Sequence, residues 1–343
     1  MKGLVIRGSR NIFTVRTEDA ALPGAELECR IKGKILKEAA GFYNPLAPGD
    51  VVLVEADDGK PGTGLIIALE ERRNRFSRFN QKGGASQLLA ANVDIALCLT
   101  TPASPPFRPR FLDRALLQAD AAGITPLVIC NKSDLGFDDI DVEERLEDLS
   151  RIGYQVLRVS AKTGMGLDGL RALIEGKSSV LVGQSGVGKS SLINALLPDS
   201  NIRVGALNEK YNRGNHTTSM SFMIELTAGA RGMDCGARGM DCGARGMDCG
   251  ARGMDCGANP TRLIDTPGIR RFVPDDISAD NLILYLREFA PLAGTCTYGL
   301  SCSHRTEPGC KIMEAVAAGV IHEDRYNSFL RIHDELAGKN HAD

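Results

Sequence analysis

The segment VLVGQSGVGKSSLINALL, residues 180–197, holds a complete G-x-x-x-x-G-K-S. The backbone N–H groups of Gly183, Gln184, Ser185, Gly186, Val187 and Gly188 can close around phosphate oxygens only where side chains are small or absent. Lys189 then reaches the β and γ phosphates, the Ser190 hydroxyl can ligate Mg²⁺, and Ser191 continues the first helical turn. Such a loop demands a buried strand before it and a helix after it, and the sequence supplies both. It normally opens its domain, whereas here it lies past the middle of a 343-residue chain. A second segment, NKSD at Asn131 to Asp134, stands upstream of it.

NKSD ends the apolar run PLVIC. In that position Asp134 can accept from the N1–H and the exocyclic amine of guanine, and Asn131 can contact the other edge, with Lys132 and Ser133 completing the loop. Adenine offers no such donor pair and would leave the carboxylate unmatched. The expected nucleotide is GTP rather than ATP. SAK, at Ser160, Ala161 and Lys162, ends the next strand and would place the Ala161 N–H near the guanine O6. DTPG ends another, with Asp265 available to the Mg²⁺ shell and the Gly268 N–H to the γ-phosphate. GNHTT, residues 214–218, follows the phosphate-loop helix, and Thr217 or Thr218 could complete the Mg²⁺ shell.

From about Asn92 the chain alternates apolar strands with helices, the pattern of a doubly wound, mainly parallel sheet whose ligands bind at the carboxyl ends of the strands. Helices are expected at 110–122, 142–152 and 167–174. The five nucleotide elements occur in the order base, base, phosphate, switch, switch. Domain termini lie close together, so joining them and cutting elsewhere preserves a site. The order therefore implies circular permutation.

Residues 1–78 read as a separate small β-barrel, an OB-fold of five short Val-, Ile- and Leu-rich strands divided by turns such as Asp57-Asp58-Gly59. Its first 80 residues carry 13 basic and 11 acidic side chains, a weak signal for RNA. EERRNRFSRF, residues 70–79, interleaves four arginines with two phenylalanines. It reads either as a charged linker whose phenylalanines pack inward or as an RNA grip. Between the strands of the nucleotide domain, GARGMDC recurs four times over residues 229–256. Two glycines per repeat, at about 1 kcal/mol each against helix, exclude a coiled coil. A flexible duplicated loop is the leading reading, with metal binding by its cysteines or an RNA role as alternatives.

After DTPGIRRF the chain is expected to be helical at 281–289, 311–318 and 322–336, around CTYGLSCSHRTEPGC. Cys296, Cys302, His304 and Cys310 form a Cys₃His set of the kind that holds one structural Zn²⁺. Clustered thiols in a chain without a signal-like apolar start favour metal over disulfides. Net charge is −2, so any basic surface is local, and no window approaches the roughly 20 apolar residues of a membrane span. A cytoplasmic location without membrane attachment is expected.

The motif order and the flanking segments CRIKGKI, AANVD, GQSGVGKSSLIN, DTPGIR and CSHRTEPGC resemble the bacterial ribosome small subunit-dependent GTPase A family over nearly the whole chain. The resemblance implies a multidomain α/β protein with an OB-fold at 1–78, a circularly permuted P-loop GTPase domain at 79–272 and a zinc-binding helical domain at 273–343. It implies GTP hydrolysis stimulated by the small (30S) ribosomal subunit, a role in late subunit maturation, 16S rRNA as partner and a monomeric state. A GTP-gated RNA-binding module with only slow reset hydrolysis is the alternative. The GARGMDC insert, within 229–257, is foreign to the family pattern, and the first gap of the Cys₃His set is one residue longer than expected. Where Ras-like enzymes place a water-positioning glutamine after D-x-x-G, this chain has Ile269. His216 in GNHTT is the nearest polar candidate for that task, beside Lys189 and Gly268 as catalytic groups.

Overall fold

A computed structural model describes residues 1–9, 11–18, 24–33, 41–57, 59–81, 83–137, 140–197, 221–226 and 260–338. The GNHTT loop and the GARGMDC repeats lie outside the described residues, so the expectations for them receive no structural account.

Five strands, β1 (Lys2–Ser9), β2 (Ile12–Thr17), β3 (Glu26–Ile31), β4 (Val51–Ala56) and β5 (Thr63–Leu69), build the N-terminal barrel. Their sheet order β1-β2-β3-β5-β4 closes through a β1–β4 pairing. The β3–β5 contact is parallel and the remaining ones are antiparallel. Closure follows from the alternating pattern of each strand. Val5, Phe13, Val15, Cys29, Val52, Val54 and Ile66 point inward and form one core, while the intervening residues face out.

The stretch read as either a charged linker or an RNA grip instead runs, from Arg75, into one strand of a hairpin, β6 (Arg75–Asn80) with β7 (Ala85–Ala91). Only one of its two phenylalanines packs inward. Phe76 is fully buried against Phe272, whereas Phe79 is 38% exposed. Its arginines are engaged within the chain: Arg72 with Asp50, Arg73 with Asp94, Arg75 with Asp276, and Arg78 with Gln87 and the Arg271 carbonyl. Those acids lie far away in sequence, so no local pattern announces them.

The central sheet runs β10-β9-β8-β11-β13-β12, comprising β8 (Ile95–Thr100), β9 (Thr125–Cys130), β10 (Gln155–Arg158), β11 (Ser178–Gly183), β12 (Phe222–Leu226) and β13 (Thr261–Asp265). All neighbours are parallel except β12, which is antiparallel to β13. Alternate residues feed opposite faces. Ala96, Cys98, Val128 and Val182 meet α1 (Pro109–Ala121) and α2 (Ile140–Arg151), whereas Leu97, Leu99, Ile129 and Leu181 meet α3 (Leu167–Ile174) and α4 (Lys189–Leu196). The sheet does not stop at its own edge. β12 pairs with β1 at Phe222–Arg7, and Glu225 bonds Arg16 across the seam, so barrel and nucleotide domain share one hydrogen-bonded surface.

The C-terminal region contains α5 (Lys311–Ala317) and α6 (Glu323–Leu336). The helix expected at 281–289 is only a 3₁₀ turn at Leu282–Tyr285. Leu286 breaks it with extended backbone, and this turns Arg287 onto Asp120 and Glu288 onto Arg325. Leu117 on α1 enters the same core as Phe289, Phe329 and Ile332.

A buried charge cluster locks the C-terminal region to the sheet layer. Asp113 Oδ1 accepts from Arg145 at 2.7 Å and from Arg325 at 2.9 Å, and both guanidiniums are fully buried. Asp113→Ala is expected to lower unfolding stability by about 3 kcal/mol or more, because it leaves two buried cations short of a partner. Asp168→Ala, which breaks the exposed Asp168–Arg171 pair, should change stability by about 1 kcal/mol at most. Urea unfolding of the two variants side by side checks the contrast.

Candidate nucleotide site and metal centre

Five loops leave the carboxyl ends of adjacent parallel strands and meet. β11 runs into the phosphate loop, where Gly186 (φ 85°) and Gly188 (φ 91°) take left-handed backbone before α4. A Cβ on Gly188 would stand 2.5 Å from Asn131 Nδ2, so glycine is required there for packing as well as conformation. Lys189 is buried, and its Nζ donates to the carbonyls of Gly183 at 2.9 Å and Gln184 at 3.1 Å.

β13 delivers Asp265 beside that lysine. Burial pushes the Asp265 carboxyl up to about 6, and the Lys189 ammonium works against this shift; burial correspondingly lowers Lys189. Asp265 Oδ1 is buried with no hydrogen-bond partner among the described residues. An unmatched buried carboxylate oxygen beside Lys189 fits the outer shell of a Mg²⁺ held with a nucleotide. Gly268 packs against the phosphate loop, since a Cβ there would lie 3.1 Å from Ser185 Cα. Ile269 donates its N–H to the Gly183 carbonyl at 3.3 Å, and its side chain is 1% exposed in the sheet core. It cannot face a water at the γ-phosphate position.

β9 ends in NKSD, and the geometry differs from the expected division of labour. Asn131 is buried rather than presented to a base. It donates to the Val187 carbonyl at 2.9 Å and accepts from the Ala161 N–H at 3.1 Å. That amide, expected to face the guanine O6, is thereby occupied within the chain. Asp134 stays exposed, and its Oδ1 accepts from the buried Ser160 hydroxyl at 2.6 Å. The hydroxyl orients the carboxylate, a role that SAK by itself does not reveal. Lys132 adopts φ 61° and donates to the carbonyls of Gly186 at 2.8 Å and Ser104 at 2.7 Å.

The Ser104 contact identifies a wall of the site that the motifs alone do not announce. The loop after β8 carries Thr101, whose hydroxyl donates to the Pro105 carbonyl at 2.7 Å, and Pro105 lies beside Gly186. The available signal was TPASPP at the carboxyl end of a fully buried strand. Thr217, Thr218 and His216 are outside the described residues.

In the C-terminal region Cys296, Cys302, His304 and Cys310 are all buried, with ligand atoms within 4.8 Å of one another. Cys296 Sγ lies 3.9 Å from Cys310 Sγ and 3.6 Å from His304 Nδ1, which is 3.4 Å from Cys310 Sγ. A tetrahedral zinc with bonds of about 2.0–2.3 Å separates its ligands by about 3.3–3.8 Å, so the set fits. Burial pushes the Cys302 thiol up to about 12, and clustered thiolates coexist there only around a cation. The Lys311 N–H donates to Cys296 Sγ, and the Tyr326 hydroxyl to the His304 carbonyl, fixing the ligands from behind.

The fold and the convergence of these loops define a circularly permuted P-loop GTPase. A family model described as RsgA GTPase matches residues 69–239. A protein of Phocaeicola vulgatus named small ribosomal subunit biogenesis GTPase RsgA is 34% identical, the match covering 100% of this chain and 99% of that protein. A relative of the same name in Flavobacterium psychrophilum is 31% identical over 97% of this chain and 92% of its own length. The chain belongs to the RsgA GTPase family. Among solved structures it is similar to YjeQ from Thermotoga maritima, with TM-score 0.67 and 26% identity over 99% of both chains. YloQ, a circularly permuted GTPase, shares the fold at TM-score 0.62 and 22% identity, covering 100% of this chain and 96% of its own.

Two variants test the geometry. Gly188→Ala is expected to weaken GTP binding at least tenfold by titration calorimetry and to lower the unfolding midpoint, since the new Cβ is strained at φ 91° and meets the buried Asn131 amide. Cys302→Ala should lose one equivalent of zinc and the helical signal of the C-terminal region while GTP still binds.

Proposed function

We propose that this protein hydrolyses GTP as an assembly factor of the small ribosomal subunit, in the cytoplasm and as a monomer, with 16S rRNA among its contacts. The observation that supports this best is the convergence of NKSD, SAK, the phosphate loop and DTPG at one end of one sheet, in a chain whose full-length relatives carry that function in their names. A three-part division at 1–78, 79–272 and 273–343 is the corresponding domain reading.

In this reading Asp134, oriented by Ser160, selects guanine, with Lys132, Ser133, Ala161 and Lys162 around the base. The phosphate-loop amides hold the β-phosphate and Lys189 the γ-phosphate, with Gly268 offering its N–H to the same group. Mg²⁺ bound with the nucleotide screens phosphate charge. Ser190 and Thr218 are assigned as its ligands, with Asp265 behind them. Zinc held by the Cys₃His set is structural, because four protein ligands leave no position open for chemistry.

Ile269, buried in the core, cannot place the attacking water, so the isolated protein is expected to turn over slowly. We assign that placement to His216, brought into line when the small subunit is engaged. Small subunits should therefore accelerate hydrolysis, and His216→Ala should remove most of the acceleration with little change in GTP affinity. Full stimulated turnover in that variant would exclude the histidine. Asp134→Ala should abolish the preference for GTP over ATP in a competition assay; retained preference would sink the base assignment.

A further inference from the structure

Between α1, the segment after DTPG and α6 lies a cleft of about 1080 Å³. Seven arginines line it against three carboxylates, and it contains no lysine. The carboxylates are already committed. Glu335 sits between Arg114 and Arg271, and Asp334 bonds Arg305. Asp324 lies at the first turn of α6, where a negative charge meets the helix N-terminus. That leaves Arg108, Arg110, Arg270 and Arg331 exposed, their guanidiniums with no acid or hydrogen-bond partner among the described residues. The first turn of α1, which carries Arg110, holds no acidic residue to neutralise it.

Four unmatched guanidiniums converging on one cleft, in a chain of net charge −2, mark a concentrated positive field that the composition does not suggest. Guanidinium forks match phosphate oxygens in a bidentate manner. Phe107 and Leu330, each half-buried, supply apolar surface at its sides, suited to the sugar and base faces of an unpaired strand. An acidic protein segment would find little backbone to pair with, because two of the walls are helices whose own hydrogen bonds are internal.

The floor of the cleft is part of the nucleotide machinery. Gln184 of the phosphate loop lines it, and Arg270 and Arg271 follow close behind Gly268. The next residue, Phe272, is clamped between Phe76 and Phe111, so the arginines sit on a fixed pivot beside the γ-phosphate sensor.

We propose that this cleft binds the phosphate backbone of a single-stranded RNA segment, through Arg108, Arg110, Arg270 and Arg331, and so joins RNA engagement to the loop that reads the γ-phosphate. The ribosomal origin of the strand rests on the function proposed above; the chemistry of the cleft does not. The test uses the full chain and a fluorescent single-stranded RNA of mixed sequence, titrated over a range of salt. The double variant Arg110→Glu/Arg331→Glu is expected to weaken RNA binding at least tenfold. The slope of log Kd against log salt should fall by about 1.4, at about 0.7 for each single-strand phosphate that the variant no longer neutralises. GTP affinity and zinc content should be unchanged, and Arg110→Lys/Arg331→Lys should restore the slope while recovering only part of the affinity, because an ammonium keeps the charge and loses the bidentate fork.

A reversal of equal charge on the opposite face of the sheet, Arg171→Glu/Lys177→Glu, should leave both affinity and slope close to those of the unaltered protein. Unchanged affinity and slope in the cleft variant overturn the proposal, as does an equal loss from the opposite-face control. A cleft variant that loses binding of a polyglutamate peptide but not of RNA also overturns it, in favour of an acidic protein partner. If small subunits fail to stimulate even the unaltered protein, the assembly function falls while the oligonucleotide titration still decides the cleft.

Discussion

The side chain of Asn131 is the point on which the permuted site depends. It donates to Val187 in the phosphate loop and accepts from Ala161 after β10, so three loops far apart in sequence are tied by one amide. Such a group can satisfy both ends only if each loop arrives at its expected height above the sheet. The parallel register of β9 beside β8, and of β8 beside β11, secures that height. Being buried, the amide would cost several kcal/mol if left unmatched, which makes the loop arrangement close to all-or-none. Strand order along the chain is irrelevant to this bond, and this is why cutting and rejoining the domain leaves it in place.

Permutation changes what the site is connected to. DTPG no longer leads deeper into the nucleotide domain. Its continuation first lies across the β6–β7 hairpin and α1, with the Phe79 N–H donating to the Val273 carbonyl and the Asp275 N–H to Gln118 Oε1, and only then enters the C-terminal region with the Cys₃His set. On the other side, β12 lies at the edge of the nucleotide sheet and pairs with β1 of the barrel. The barrel is therefore joined to the nucleotide domain through hydrogen-bonded backbone, and the C-terminal region through buried side chains at Asp113, Arg145 and Arg325.

Two groups of arginines show how burial sorts charge in this protein. Where an arginine is buried it has a carboxylate, as Arg145 and Arg325 share Asp113, because an isolated buried cation is prohibitively costly. Four arginines without one, Arg108, Arg110, Arg270 and Arg331, are exposed and face the same cleft. A neutral composition can thus contain a strongly basic surface, provided that the acids are drawn into structural pairs elsewhere.

Features that depend on neighbouring residues were legible in the sequence. The phosphate loop, NKSD, DTPG, the five barrel strands, α1 to α3 and the Cys₃His set are each specified within a few residues by apolar period, glycine placement or ligand spacing. Their unusual order was enough to imply permutation. What only the tertiary structure decided involves partners distant in the chain. Asn131 turned from the base to the loops because Val187 and Ala161 came within reach. The arginines at 72–78 became ion-pair and hairpin residues because Asp50, Asp94 and Asp276 met them, the last 201 positions away. The helix expected at 281–289 gave way to a short turn because Arg287 and Glu288 found Asp120 and Arg325, the first of these 167 residues away. Periodicity and spacing encode which backbone forms; charge pairing and burial are settled only when the chain has folded and distant groups share a dielectric.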